Sequence, residues 1–302
     1  MRPIHDVGLV GVGAMGEPMG AALLRAGFRV HVCVHHKRQR IDNLLALGAS
    51  EEGAPASVAA KSQVVITMVP DAPQVEESLF AADGIAAGLS PGTGIIDMST
   101  ISPVASRSFH ERLKEKGRWM LDAPVSGGPA RAQTADLTIM AGGEAQTFAQ
   151  CEPVLRAMGR PTHVGPAGMG ETFKLVNQMI IASVMIADVE ALVFAKKSGA
   201  DIALLRQVIG TATGANYLLE HWLPAAWFRD HHRGGFALDL LRKDLTAALD
   251  AAKQMSVPAP ASALAYQLYT TVSGEGHGSQ DYSAVAELYE RAAGVRVAEE
   301  WD

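Results

Sequence analysis

The chain has 302 residues, 48% hydrophobic and 19% charged, a balance that suits a globular two-domain protein and excludes a disordered or low-complexity one. Lysine and arginine number 26 against 32 aspartate and glutamate, a net charge of −6 with no basic block, which argues against a nucleic-acid partner. The two cysteines, Cys33 and Cys151, stand in unrelated contexts and suit a reduced, cytoplasmic protein better than a disulfide scaffold or a metal site.

In chain order, the N-terminus runs into a strand with no signal-peptide pattern. Asp6–Val10 reads as a buried parallel strand, and a helix to about Ala26 follows the loop Gly11-Val12-Gly13-Ala14-Met15-Gly16. This GxGxxG lies between a strand and a helix, in a unit that continues to a second strand at 29–34. The first glycine permits the tight turn, the second admits a pyrophosphate to the backbone, and the third lets helix pack on strand. Dinucleotide binding is the expected role; a glycine turn used only for packing is the alternative.

The end of the second strand selects the cofactor. An NAD-preferring site places an acid there for the ribose 2′-hydroxyl. This chain has Val34-His35-His36-Lys37-Arg38, with no acid before Asp42. Basic side chains suit a 2′-phosphate, so NADP(H) is expected ahead of NAD(H), against the alternative of a solvated helix start.

Alternating strands and helices then imply a doubly wound sheet. A strand at 64–69 ends in Met68-Val69-Pro70-Asp71, where Pro70 stops the strand and Asp71 can cap the next helix. A loop at the carboxyl end of a parallel strand is a place for ligand. The strand Gly94–Asp97 leads to Ser99 and Thr100, whose hydroxyls suit either cofactor contacts or local capping, and Ser102-Pro103 reads as a helix start. The strand Trp119–Asp122 precedes Ser126-Gly127-Gly128, a possible carboxylate cradle of backbone N–H groups or a plain turn. A strand at 137–141 and a helix at 145–158 complete a cofactor domain, taken as 1–164.

Apolar residues at Leu175, Met179, Ala182, Met185, Ile186, Val189 and Val193 predict one helix of about 27 residues, long enough to span a domain boundary. Its apolar stretch from Met179 to Ala187 stops at Asp188, which argues against a membrane span. Lys174, Asn177 and Gln178 share one face beside the helix N-terminus, whose positive potential and N–H groups suit a carboxylate or developing oxyanion.

The remainder, 165–302, reads as an all-helical domain, with helices at 200–211 and 236–255 and an irregular aromatic link at 217–228. Trp222 and Trp227 suit core or dimer packing; Trp222 or His221 could instead line a substrate pocket. His221, His231 and His232 lack a carboxylate or cysteine at ligand spacing, so no metal is expected. Lys243-Asp244 reads as an exposed mid-helix charge pair. Asp281-Tyr282-Ser283 reads as an N-cap before the last helix.

These motifs together resemble the β-hydroxyacid dehydrogenase family, which includes 3-hydroxyisobutyrate dehydrogenase and tartronate semialdehyde reductase. The resemblance rests on GLVGVGAMGEPM (8–19), ITMVPD (66–71), IDMSTISP (96–103), DAPVSGGP (122–129), GxxxKLVNQ (170–178) and RKDL (242–245). It implies a Rossmann domain and an all-α domain joined by the long helix, commonly used for dimerisation, so a homodimer or homotetramer is expected. It further implies Lys174 as the catalytic lysine, Asn177 and Gln178 as orienting groups, and Ser126, Gly127 and Gly128 at the substrate carboxylate. Thr100 and Lys243 would meet the cofactor. The implied reaction is hydride transfer between NADP(H) or NAD(H) and a short carboxylated semialdehyde or β-hydroxyacid, without metal. Imine reductases share this architecture but usually lack the lysine, and non-catalytic relatives lose it. The chain departs from the family at Ala130 and Ala135, where glycines are usual, and at Gln178, often Asn.

Overall fold

The computed structural model describes residues 3–34, 38–229, 231–233 and 235–298. It separates into two compact units, Met1–Lys174 and Leu175–Asp302.

The first unit is built on a nine-stranded sheet. Its early strands are β1 (Asp6–Val10), β2 (Arg29–Cys33), β3 (Ser50–Glu52), β4 (Val64–Thr67), β5 (Gly94–Asp97) and β6 (Trp119–Asp122). β1 through β6 lie in the order 3-2-1-4-5-6, all parallel. Val7, Leu9, Val64, Val65, Ile66, Ile95 and Ile96 have no exposed surface. Such continuous apolar runs suit strands covered by helices on both faces. Those helices are α1 (Gly16–Arg25), α2 (Arg38–Ala46), α3 (Pro55–Lys61), α4 (Ala72–Phe80), α5 (Ile85–Gly88) and α6 (Pro103–Lys114). Asp71 caps α4, accepting from the Ala72 N–H, and the Ser102 hydroxyl caps α6, accepting from Val104. Each stands directly before the helix it starts, as the sequence suggests.

Beyond β6 the sheet departs from a purely parallel pattern. β7 (Val125–Ser126) is followed by α7 (Gly128–Gln133), β8 (Leu137–Gly142), α8 (Ala145–Arg156) and β9 (Gly159–Gly165). β8 is antiparallel to β6 and β7 and parallel to β9. β3, β7 and β9 are not foreseen in the sequence, because they are short, half-exposed or carry a proline, and gain their identity from their partners. Cys33 and Cys151 are buried free thiols that burial pushes up to about 11 and about 12, which keeps them protonated and inert.

α9 (Met169–Lys197) has 29 residues, about 43 Å at 1.5 Å per residue. It belongs to both units, and the division falls inside it rather than at 164/165. The reason is that its first turn is hydrogen-bonded to the sheet of the first unit. Its apolar character also runs beyond Met179–Ala187. By length and composition it would suffice to cross a bilayer. Ala182, Met185, Val189, Leu192 and Val193 instead lie in the core of the second unit.

That core packs α9 with α10 (Ile202–Ile209), α11 (Leu238–Gln254), α12 (Pro260–Val272) and α13 (Val285–Ala293). The aromatic link is not irregular: Leu218–Trp222 and Pro224–Arg229 are π-helical. Asn216 starts this segment, its Oδ1 accepting from the Leu218 and Leu219 N–H groups while its Nδ2 donates to Asp188. Trp227 and Phe228 are each 1% exposed and lie in the core. α12 is an element the sequence reading misses, since only its Pro260 start and length mark it.

Candidate functional site

The β1–α1 loop shows why its three glycines are there. Gly11 has φ +99°, and a Cβ on it would lie 2.2 Å from the Met68 carbonyl oxygen. A Cβ on Gly16 would lie 2.1 Å from the Gly11 oxygen. Both glycines serve the protein's own packing, Gly11 pressing the end of β1 against the end of β4 and Gly16 pressing the start of α1 against Gly11. Gly13 differs, since a Cβ there meets nothing within 4 Å. The space over Gly13 is open, and no side chain caps α1, whose N-cap is Met15. With Ala14 and Met15 this forms a backbone cradle that an incoming phosphate could fill. It stands at the switch point of the sheet, where β1 has β2 on one side and β4 on the other. Met68, Val69 and Pro70 follow β4 directly beside it.

Ser99 bridges two loops. Its Oγ accepts from the Val69 N–H at 3.0 Å, and its own N–H donates to Asp97 Oδ1. It joins the loops after β4 and β5, a contact between distant segments rather than the local cap the sequence suggests. Thr100, next on that loop, is half-buried. Of the residues expected to select the cofactor, His35, His36 and Lys37 lie outside the described residues. Arg38 is exposed and donates to Asp42 Oδ1 at 2.8 Å and Glu51 Oε1 at 2.7 Å.

Ser126 ends β7 in register with Thr138. Gly127 and Gly128 follow at φ +133° and +64° and open α7, which no side chain caps. Ala130 is exposed in α7. Ala135 adopts φ +54°, a left-handed conformation that L residues avoid and glycine tolerates.

The start of α9 corrects one expectation. Its N-terminal N–H groups are not open to substrate. Asp122, on β6 and 2% exposed, accepts from the N–H groups of Gly168 at 2.8 Å and Glu171 at 3.1 Å. A carboxylate from the sheet thus occupies the positive end of the helix. Burial raises the Asp122 pKa, against the lowering effect of those N–H donors. Glu171 is fully buried, and its Oε2 accepts from the Ile101 N–H at 3.1 Å, tying α9 to the loop that bears Thr100. Lys174 is 7% exposed.

In the second unit, the Asn177 Nδ2 donates to Gln178 Oε1 at 3.0 Å, and the Gln178 Nε2 donates to Asp244 Oδ2 at 2.7 Å. Lys243 Nζ lies 2.9 Å from Asp244 Oδ1. The exposed-pair reading of Lys243-Asp244 is therefore wrong: Asp244 is 2% exposed and joins Lys243 to Gln178. Asp244, Glu171 and Asp122 are the residues sequence reading misses. Asp122 follows an apolar run, but Asp244 follows Arg242-Lys243 and Glu171 precedes Thr172, so local sequence does not mark them as buried.

The aromatic and histidine candidates have these partners. Trp222 donates its Nε1–H to Asp281 at 3.1 Å, and Asp281 also accepts from the Phe236 and Ser283 N–H groups. His221 is exposed beside Glu220. His232 is buried on Ser283, and burial lowers its pKa to about 4. Among the described residues, no three His, Cys, Asp or Glu side chains converge on a metal position.

Comparison with known proteins places these features in context. Residues 6–171 match the model described as the NAD binding domain of 6-phosphogluconate dehydrogenase. Residues 168–289 match the one described as the NAD-binding of NADP-dependent 3-hydroxyisobutyrate dehydrogenase. Escherichia coli 2-hydroxy-3-oxopropionate reductase is 37% identical, with 97% of this chain and 99% of that protein covered. The structure of Mycobacterium tuberculosis 3-hydroxyisobutyrate dehydrogenase with L-serine is 34% identical with a TM-score of 0.86, covering 93% of this chain and 98% of that one. A Pseudomonas imine reductase, 19% identical with a TM-score of 0.60 over 93% of this chain and 98% of that one, shares the fold.

Proposed function

Because the chain belongs to the β-hydroxyacid dehydrogenase family and is a nicotinamide-dependent oxidoreductase, we propose that it interconverts a short β-hydroxyacid and its semialdehyde, with Lys174 moving the proton. The observation that carries the reading is a buried lysine at the start of α9, in the unit that also holds the open cradle over Gly13. The nicotinamide, when bound, supplies or takes up the hydride. Gly11–Gly16 and Met68–Pro70 hold the dinucleotide, and Thr100 and Lys243 meet its nicotinamide end. Ser126, Gly127 and Gly128 receive the substrate carboxylate on backbone N–H groups. In reduction the Lys174 ammonium donates to the carbonyl oxygen; in oxidation the amine takes the hydroxyl proton. Asn177 and Gln178 orient the reacting group. The ammonium also offsets charge developing on oxygen, so the reading needs no metal.

The substrate class follows the relatives: their names point to 2-hydroxy-3-oxopropionate, 3-hydroxyisobutyrate and serine, each a small carboxylate with a hydroxyl or carbonyl at the β carbon. NADP(H) is the preferred cofactor in this reading. Arg38 is held in place by Asp42 and Glu51, and such exposed pairs exchange readily for a phosphate that binds the fork bidentately. The protein acts in the cytoplasm on a small molecule, without nucleic acid or membrane. It assembles as a homodimer or homotetramer: Phe173, Ile180 and Phe194 are 46%, 56% and 74% exposed at spacings of seven and fourteen along α9, an apolar stripe for a second copy.

The test follows nicotinamide absorbance with NADPH and NADH, each against tartronate semialdehyde, methylmalonate semialdehyde, succinic semialdehyde and glyoxylate, and in reverse with 3-hydroxyisobutyrate and L-serine. Turnover with one of them, abolished by Lys174→Ala with cofactor affinity intact, is the expected result. Silence across the panel with turnover of a cyclic imine refutes it.

A further inference from the structure

The carboxyl ends of β5 and β6 and the first turn of α9 gather three carboxylates that are almost without exposure: Asp97 at 0%, Asp122 at 2% and Glu171 at 0%. Asp97 accepts from the Thr67 hydroxyl at 2.8 Å and the Ser99 N–H at 3.1 Å. It is the register partner of Asp122 across β5 and β6, and its charge adds to the rise in the Asp122 pKa. Asp122 in turn is hydrogen-bonded to the start of α9. The guanidinium of Arg107, on α6, lies against Gly168 at that same start. Among these groups Glu171 and Lys174 stand three apart on one helix.

Residues three apart on a helix have Cβ atoms about 5–6 Å from each other on one face. Long helical side chains point back toward the N-terminus, so Lys174 leans over the turn that presents Glu171. Both are buried, at 7% and 0% exposure. A buried ammonium and a buried carboxylate are each unfavourable alone and compensate one another when adjacent. Glu171 is itself anchored, because its Oε2 accepts from the Ile101 N–H in the loop that follows Thr100.

We propose that Glu171 is the positioning residue of Lys174, holding its ammonium one turn along α9 and linking it to the loop after β5. The inference rests on the reading of Lys174 as the proton-moving group. Glu171 touches neither substrate nor cofactor; it acts through the lysine. It keeps Lys174 charged to higher pH, which favours proton donation and hence the reductive direction.

The test compares wild type, Glu171→Gln, Glu171→Asp and Lys174→Ala. Gln retains a carbonyl oxygen for the Ile101 N–H while removing the charge, and Asp retains the charge on a shorter arm. The first readout is a 13Cε-lysine NMR titration of the cofactor-free protein, with the Lys174 signal identified by its loss in Lys174→Ala. The second is the pH profile of kcat/KM for reduction. Removing an opposite charge lowers a lysine pKa, and a neighbouring charge shifts a pKa by about 1–3 units. Glu171→Gln is therefore expected to lower the Lys174 pKa by at least about one unit, and to move the alkaline fall in kcat/KM by the same amount, about a tenfold loss on that limb. Glu171→Asp restores most of that shift. An unchanged or raised Lys174 pKa in a folded Glu171→Gln protein overturns the inference. Near-normal turnover by Lys174→Ala instead overturns the role of the lysine, and the NMR titration still reads the Glu171–Lys174 coupling on its own.

Discussion

Gly13→Ala separates binding from folding, because the structure assigns the two effects opposite signs. A Cβ at Gly13 meets no protein atom within 4 Å, and the backbone there is not left-handed. Replacing glycine by alanine at such a position restricts the unfolded chain and stabilises the fold by about 0.4–1 kcal/mol. In the proposed reading the same methyl stands where the pyrophosphate approaches the backbone. Displacing a phosphate from its N–H donors weakens charge-assisted hydrogen bonds of about 1.5–3 kcal/mol each. The loss of even one corresponds to at least about a tenfold rise in Kd. Gly16→Ala is the contrast. Its Cβ would lie 2.1 Å from the Gly11 oxygen, so the backbone must shift. Overpacking of this kind destabilises by about 1–3 kcal/mol. Denaturant unfolding of the cofactor-free variants, with calorimetric titration of NADPH and NADH, measures both quantities. Undiminished cofactor affinity in Gly13→Ala, or a loss of its stability, refutes the assignment of that space to the cofactor.

Three further outcomes follow from particular residues. Ala135→Gly relieves a left-handed alanine at φ +54° and is expected to stabilise the protein by about 0.5–1 kcal/mol in denaturant unfolding; a loss of stability would show the conformation to be unstrained. Burial raises Asp188 from 3.8 to about 6, and its Oδ2 is buried without a hydrogen-bond partner. The folded protein then holds this proton more tightly than the unfolded chain, so the Asp188 contribution is full below pH 3.8 and is lost as pH rises through about 6. Asp188→Asn should gain on the order of 2–3 kcal/mol over wild type at pH 7 and little at pH 4. His232, held neutral down to about 4, contributes the opposite slope in both proteins and cancels in the difference; an equal effect of Asp188→Asn at both pH values refutes the assignment. Asp244→Leu removes the acceptor of the buried Gln178 amide and the carboxylate beside Lys243, and should cost about 1–3 kcal/mol, whereas Asp244→Asn keeps an acceptor and loses less. Thermal unfolding of both variants checks the order, and equal losses would contradict it.

Much of the first unit is determined locally. The strand–GxGxxG–helix unit, the apolar runs of β1, β4 and β5, and the caps at Asp71 and Ser102 each depend on residues within a few positions of one another. Their geometry is written in spacing, and composition alone supports the two-domain, globular reading. The face shared by Lys174, Asn177 and Gln178 is likewise a consequence of helical period. What the sequence by itself does not determine lies in contacts between distant segments. Asp122 caps α9 from 46 residues away, Glu171 holds an amide 70 residues before it, and Asp244 accepts from Gln178 across 66 residues. β7 and β9 become strands only by pairing with β8. Local pattern reports which groups share a face; whether an acid on that face is solvated or buried against a cation depends on what the rest of the chain packs over it. Burial is a property of the tertiary structure, and it is burial that sets Asp122, Glu171 and Asp244 apart from ordinary solvated acids.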